Sequence, residues 1–307
     1  MIRVEVPPQL EEQRLLGPDW AAWLDRLPRR AADLLDDWEL RVDGAAMHGY
    51  CSLVLPVVTA TEEHAVLKVT FDGDDESAHE ALMLQHWGGH GAVRLLRADP
   101  ARRALLLERL HTRDLGTLGD LEACQVVAGL YPRLHRPAPA QLRTVTSYVE
   151  EWAAALAEMH RSAPLPRRLV EQSRSLARDF VSDVASTGVA IHGDLHYANV
   201  LAGDREPWLV IDPKPMSGDP HFEPAPMLWN RWDELAGDVR GGVRRRFHAL
   251  VDAAGLEEDR ARDWVVLRMV LNASWTLEDA ALANRALTTA ERDWLTTCIS
   301  IAKAVQD

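Results

Sequence analysis

Lysine is nearly missing from this chain. Of its 34 basic residues only Lys68, Lys214 and Lys303 are lysines, so each lysine that survives the bias toward arginine is a candidate for a specific role. Cysteine is scarce as well: Cys51, Cys124 and Cys298 are widely spaced and odd in number, which excludes a disulfide framework and a cysteine-built metal cluster. No apolar run approaches the length that spans a bilayer, and the start, MIRVEVPPQLEEQ, carries no signal core. A cytoplasmic protein without a membrane partner is expected. A net charge of -13 argues against a nucleic-acid partner and suits a cationic small molecule. Repeats, low-complexity tracts and long linkers are not visible.

What is present is material for a large core, with 47% hydrophobic residues in 307. Trp20, Trp23, Leu24 and Leu27, then Leu34, Leu35 and Trp38, have helical spacing interrupted at Pro28, which predicts two short helices. From Leu40 to Phe71 the pattern turns to short β-type runs, with the polar turn TATEEH between two of them. Helical EALMLQHW follows an acidic turn, and ALLLERL (Ala104 to Leu110) reads as a buried strand. Loop and helix-start signals in GTLGDLEA place a lobe boundary near residue 110, giving lobes 1–110 and 111–307. Beyond it the chain reads as mostly helical, with Tyr148, Val149, Trp152, Leu156 and Met159 on one core-facing stripe.

The most informative stretch is IHGDLHYANVL (Ile191 to Leu201), followed by LVIDP (Leu209 to Pro213). An apolar run enters a loop carrying Asp194, Asn199 comes five residues later, and a second apolar run delivers Asp212. Transfer of a terminal phosphoryl group needs positioning and charge neutralisation, so one carboxylate to take or orient the acceptor proton and two oxygen ligands for Mg2+ suit that chemistry. In this reading Asp194 is the catalytic group, and Asn199 and Asp212 hold the metal. Gly193 permits a sharp turn and His192 can brace the loop. A polar hairpin turn uses the same residue types, but the joint string is more specific than a turn requires.

The string HGDLHYANVL with VIDPKPMSGDP resembles the aminoglycoside phosphotransferase superfamily. Its continuation through APMLWNRWDEL (Ala225 to Leu235) is similar to streptomycin 6-kinases and the aminoglycoside/hydroxyurea resistance kinases. The resemblance reaches back to GHGAVRLL (Gly89 to Leu96) and covers most of the chain. It implies an α+β, two-lobed protein-kinase-like fold, with a small mainly β N-terminal lobe that binds nucleotide and a larger mainly helical lobe for catalysis and substrate. ATP is the implied phosphoryl donor, with Mg2+.

Kinases place a strand lysine on the α- and β-phosphates and pair it with a glutamate on the next helix. Lys68 takes that place. Glu80 is preferred to Glu76 as its partner, because Glu76 stands where a helix start favours carboxylates anyway. Gly49 and Ser52 lie in the turn expected over the phosphates, though a plain hairpin turn would look the same. Adenine is expected against the backbone near Glu108 and Leu110. Lys214 either steadies the metal loop, neighbours the phosphates or is merely exposed.

For the acceptor, carboxylates past Asp212 are candidates to bind guanidinium or amine groups, and tryptophans to cover them. Asp219, Glu223, Trp229, Trp275 and Glu278 are singled out. Streptomycin, phosphorylated at its 6-hydroxyl, is the acceptor implied by the resemblance, with hydroxyurea or another small metabolite as the rival. A catalytically silent nucleotide-binding module is disfavoured by intact Lys68, Asp194, Asn199 and Asp212, and a protein kinase by Pro-Lys after Asp212. A monomer is expected.

Overall fold

A computed structural model describes residues 4–160 and 163–306. The elements begin α1 (Pro8–Glu11), α2 (Pro18–Asp37), β1 (Arg41–Val42), β2 (Met47–His48), β3 (Ser52–Val58), β4 (His64–Thr70), α3 (Glu80–Trp87), β5 (Leu95–Asp99) and β6 (Ala104–Glu108). They continue with α4 (Asp120–Leu134), α5 (Val145–Glu158), α6 (Arg167–Ser182), β7 (Val189–Ile191), β8 (Val200–Leu201), β9 (Leu209–Val210) and β10 (Met216–Gly218). The last are α7 (Ala225–Trp229), α8 (Val239–Ala254), α9 (Glu258–Leu282) and α10 (Thr289–Ala304). Among the described residues no helix is long and apolar enough to cross a membrane.

The chain divides into two compact units, one running to Thr112 and taking in Leu201–Lys214, the other made of Arg113–Val200 and the chain from Pro215 on. The first break falls close to the boundary expected near residue 110. The return of Leu201–Lys214 to the first unit departs from the simple split at that point.

The first unit is built on an antiparallel sheet ordered β1-β3-β4-β6-β5, with β2 also pairing β3. Side chains alternate across it. Leu67 and Val69 of β4 join Leu53, Leu55 and Val57 in a core with Trp23, Leu24, Leu27, Ala31, Leu34 and Leu35 of α2, and Lys68 between them points to the other face. Against the expectation of two short helices, α2 runs unbroken through Pro28. Burying its apolar stripe against the sheet outweighs the one backbone hydrogen bond that proline cannot donate.

The second unit is helical apart from β7 and β10, which pair antiparallel with Met216 opposite Ile191. Helix α4 packs on α8, and α9 packs on α5, α6 and α10. The residues just past β7 form the loop that carries Asp194, so this small ribbon sets where that loop begins.

Candidate active site

In the first unit, Lys68 lies opposite Val54 of β3 and Leu105 of β6. Its Nζ donates to both oxygens of Glu80 at 2.8 Å and to Asp212 Oδ1 at 2.6 Å. Lys68 and Glu80 are buried. Burial alone would depress the ammonium, but Asp212 and Glu80 together more than reverse this and hold it firmly charged. Burial pushes the Glu80 carboxyl up, to about 7, against the pull of Lys68. Asp212 sits in the left-handed region at φ 55°, a conformation that Asp tolerates better than most residues. Its carboxylate is about a third exposed.

Glu76 does not approach Lys68: it accepts from Lys214 at 2.8 Å. Helix α3 starts at Glu80, so Glu76 lies in the preceding turn and not at the helix start. Gly49 and Ser52 close the turn between β2 and β3, the Gly49 N–H donating to the Ser52 carbonyl at 2.9 Å. A Cβ at Gly49 would stand 2.7 Å from Ser52 Oγ. Leu110 lies beyond the end of β6. At Glu108 the N–H donates to the Arg94 carbonyl at 3.0 Å and the carboxylate accepts from Arg205 Nε at 3.0 Å, so neither of these two groups is open to adenine.

In the second unit, Gly193 turns the chain at φ 81°, and the Asp194 N–H donates to His192 Nδ1 at 3.3 Å. Asn199 Nδ2 donates to the Asp194 carbonyl at 2.8 Å, which leaves the amide oxygen as the donor atom for a cation. The Asp194 carboxylate is a quarter exposed, with His196 Nε2 at 4.0 Å.

Two carboxylates assigned to the acceptor are committed elsewhere. Asp219 is buried, and accepts from Arg260 Nε at 2.6 Å, Trp264 Nε1 at 2.7 Å and the His221 backbone at 3.0 Å. Glu223 is fully buried and accepts from the His192 N–H at 2.5 Å and the Gly193 N–H at 3.3 Å. Both are corrections: a carboxylate whose oxygens satisfy buried protein donors is not free for a ligand. Trp229 meets Trp294 edge-on at 5.9 Å and the Arg268 guanidinium at 5.0 Å. On α9, Trp275 and Glu278 differ from these. Trp275 Nε1 and Glu278 Oε2 are buried atoms without a hydrogen-bond partner among the described residues.

Arg268 was not anticipated. It sits in the apolar run WVVLRMVL of α9, where an arginine is buried only with a purpose. That contrast was the available signal.

The model of the aminoglycoside/hydroxyurea antibiotic resistance kinases matches residues 37–280. The chain is 42% identical to a streptomycin 6-kinase of Streptomyces glaucescens over 94% of its own length and 96% of the relative's. It is equally identical to a hydroxyurea phosphotransferase of Kitasatospora aureofaciens, over 91% and 82%. A solved spectinomycin phosphotransferase, in complex with ADP and spectinomycin, superposes with a TM-score of 0.60 at 14% identity over 91% of this chain and 98% of that one. The fold is the protein-kinase-like α+β fold. With its β-sheet unit holding the Lys68–Glu80–Asp212 cluster and its helical unit holding the Asp194 loop, the chain belongs to the aminoglycoside/hydroxyurea antibiotic resistance kinases and is a small-molecule phosphotransferase.

Proposed function

We propose that the chain transfers the γ-phosphoryl group of ATP to the 6-hydroxyl of streptomycin. Lys68 holds the α- and β-phosphates with Glu80 fixing its ammonium, and Gly49 and Ser52 form the turn over the phosphates, while adenine meets the backbone near Leu110. Asp194 orients the acceptor hydroxyl and takes its proton. The Asp212 carboxylate of the first unit and the Asn199 amide oxygen of the second are each hard oxygen donors of the kind that Mg2+ takes. When bound, the metal would neutralise charge on the phosphates.

The acceptor reading is carried by Trp275 and Glu278, whose buried Nε1 and Oε2 lack partners among the described residues. Tyr148 and Trp152 of α5 stand edge-on to Trp275 at 5.4 and 4.7 Å, and Glu278 follows Trp275 by three residues on α9, one turn further along the helix. A guanidinium supplies the donors that Glu278 lacks and stacks on such rings. A sugar oxygen accepts from the indole N–H. Hydroxyurea is the second reading, because a relative named for it is as similar as the streptomycin 6-kinase.

The test is ATP consumption by purified protein with streptomycin or hydroxyurea, with the product identified by phosphorus NMR. A phosphate on the streptomycin 6-position is expected. Saturable hydroxyurea turnover without streptomycin turnover would transfer the proposal to the second acceptor.

A further inference from the structure

The peptide units on both sides of Asp194 are held by side chains, and one of the holding residues, Arg268, comes from outside the loop. Asn199 grips the carbonyl after Asp194. The unit before it joins the Gly193 carbonyl to the Asp194 N–H. The Asp194 N–H goes to His192, and the Gly193 carbonyl accepts from Arg268 Nη2 of α9. One step further back, the N–H groups of His192 and Gly193 are both taken by Glu223. Arg268 Nη1 also donates to the Phe222 carbonyl at 3.2 Å, tying the residue before Glu223 into the same grip.

We infer that Arg268 and Glu223 are positioning residues that set the backbone orientation of Asp194, which rests on the reading of Asp194 as the group that orients the acceptor. The loop lies outside regular structure while His192 and Gly193 are buried, so its backbone groups need side-chain partners. A carboxylate accepts two successive N–H groups, and a planar guanidinium donates to two carbonyls. Each residue therefore suits its task in a way that Gln or Lys does not. The Arg268 guanidinium is itself fixed, lying 4.2 Å from the Phe222 ring and 5.0 Å from that of Trp229. His135 Nε2 stands 3.6 Å from Glu223 Oε1, and the carboxyl is held below its usual range despite burial, with His135 and His192 as the causes.

The arrangement also links acceptor and loop. Arg268 and Trp275 are seven residues apart on α9, two turns along one face, so the helix proposed to receive the acceptor is the helix that grips Gly193.

The experiment compares Arg268→Lys, Glu223→Gln, Asp194→Asn and Arg260→Met, with rates per folded molecule measured well below each melting temperature. Arg260 joins Asp219 and Asp183 and touches none of the loop backbone, so Arg260→Met lowers the melting temperature and leaves kcat unchanged. Displacing a catalytic group by a fraction of an ångström to an ångström costs up to about a hundred-fold. Arg268→Lys and Glu223→Gln should accordingly lower kcat about ten- to a hundred-fold, with KM for ATP and acceptor within about two-fold of the parent. Arg268→Lys keeps the charge and is expected to fold; should Glu223→Gln not fold, it decides alone. Parental kcat in folded Arg268→Lys, with Asp194→Asn inactive, overturns the inference. Near-parental activity in Asp194→Asn overturns the underlying reading and the inference with it.

Discussion

At the scale of single residues, Lys68 is held between Glu80 and Asp212, and Glu76 is occupied by Lys214. This separates two glutamates that composition cannot. Lys68→Ala should lower kcat/KM for ATP about a hundred-fold, about 2.7 kcal/mol, and Glu80→Gln should reproduce part of that loss. Glu76→Gln should stay within about two-fold of the parent. Equal losses at positions 76 and 80 in ATP kinetics would break the pairing as a functional unit. Lys68 stands out because lysine is so rare, and Glu80 is the glutamate that it meets, although not from one turn inside the helix, since the helix begins at Glu80 itself. Asp219 and Glu223 depart from the expectation because a carboxylate turned onto backbone amides, an indole N–H or a half-buried arginine looks, in sequence, like one turned to a ligand. Asp194→Asn leaves the peptide grips of the loop in place but removes the proton acceptor, so a loss of at least about a thousand-fold in kcat, about 4 kcal/mol, is expected in single-turnover transfer.

Helices and strands were more legible than their ends. The runs EALMLQHW and ALLLERL announce α3 and β6 because apolar periodicity is a local signal. The break expected at Pro28 failed for a non-local reason, since the sheet against which α2 buries its stripe lies elsewhere in the chain. Helix α10 offers a test at this scale. Thr288 and Glu291 form a capping box, with Glu291 N–H donating to Thr288 Oγ1 at 3.2 Å and Thr288 N–H to Glu291 Oε2 at 2.7 Å. The Arg285 guanidinium, then the Thr288 N–H, pull the Glu291 carboxyl down from 4.5 to about 2. A folded-state value below the unfolded one means stability that is present above the unfolded value and lost as pH falls toward the folded one. Glu291→Gln should therefore lower the melting temperature at pH 7, and its deficit should shrink as the pH drops from 4.5 toward 2. A deficit of constant size from pH 7 to pH 3 would show that the charge of Glu291 contributes nothing to the cap.

For the whole molecule the relevant quantity is charge. Acidic residues outnumber basic ones by 47 to 34, and streptomycin, with two guanidinium groups, is drawn to such a surface, whereas hydroxyurea is neutral and Mg-ATP is an anion. Salt shortens the reach of that attraction, from about 10 Å at 0.1 M to about 3 Å at 1 M. Steering by the protein's field should therefore appear as a streptomycin KM that rises about five-fold between low and high salt, while kcat stays level. The net field of the chain does not attract Mg-ATP, so screening that field should not raise the ATP KM as it raises that of streptomycin. Glu278→Gln should reduce the salt response along with the affinity, because it removes a carboxylate proposed to meet a guanidinium directly. A charge-neutral acceptor gives a flat salt profile for every variant. Streptomycin turnover whose KM ignores salt in both the parent and Glu278→Gln would mean that acceptor binding rests on shape and neutral hydrogen bonds, and that the acidity of this chain plays no part in choosing its substrate.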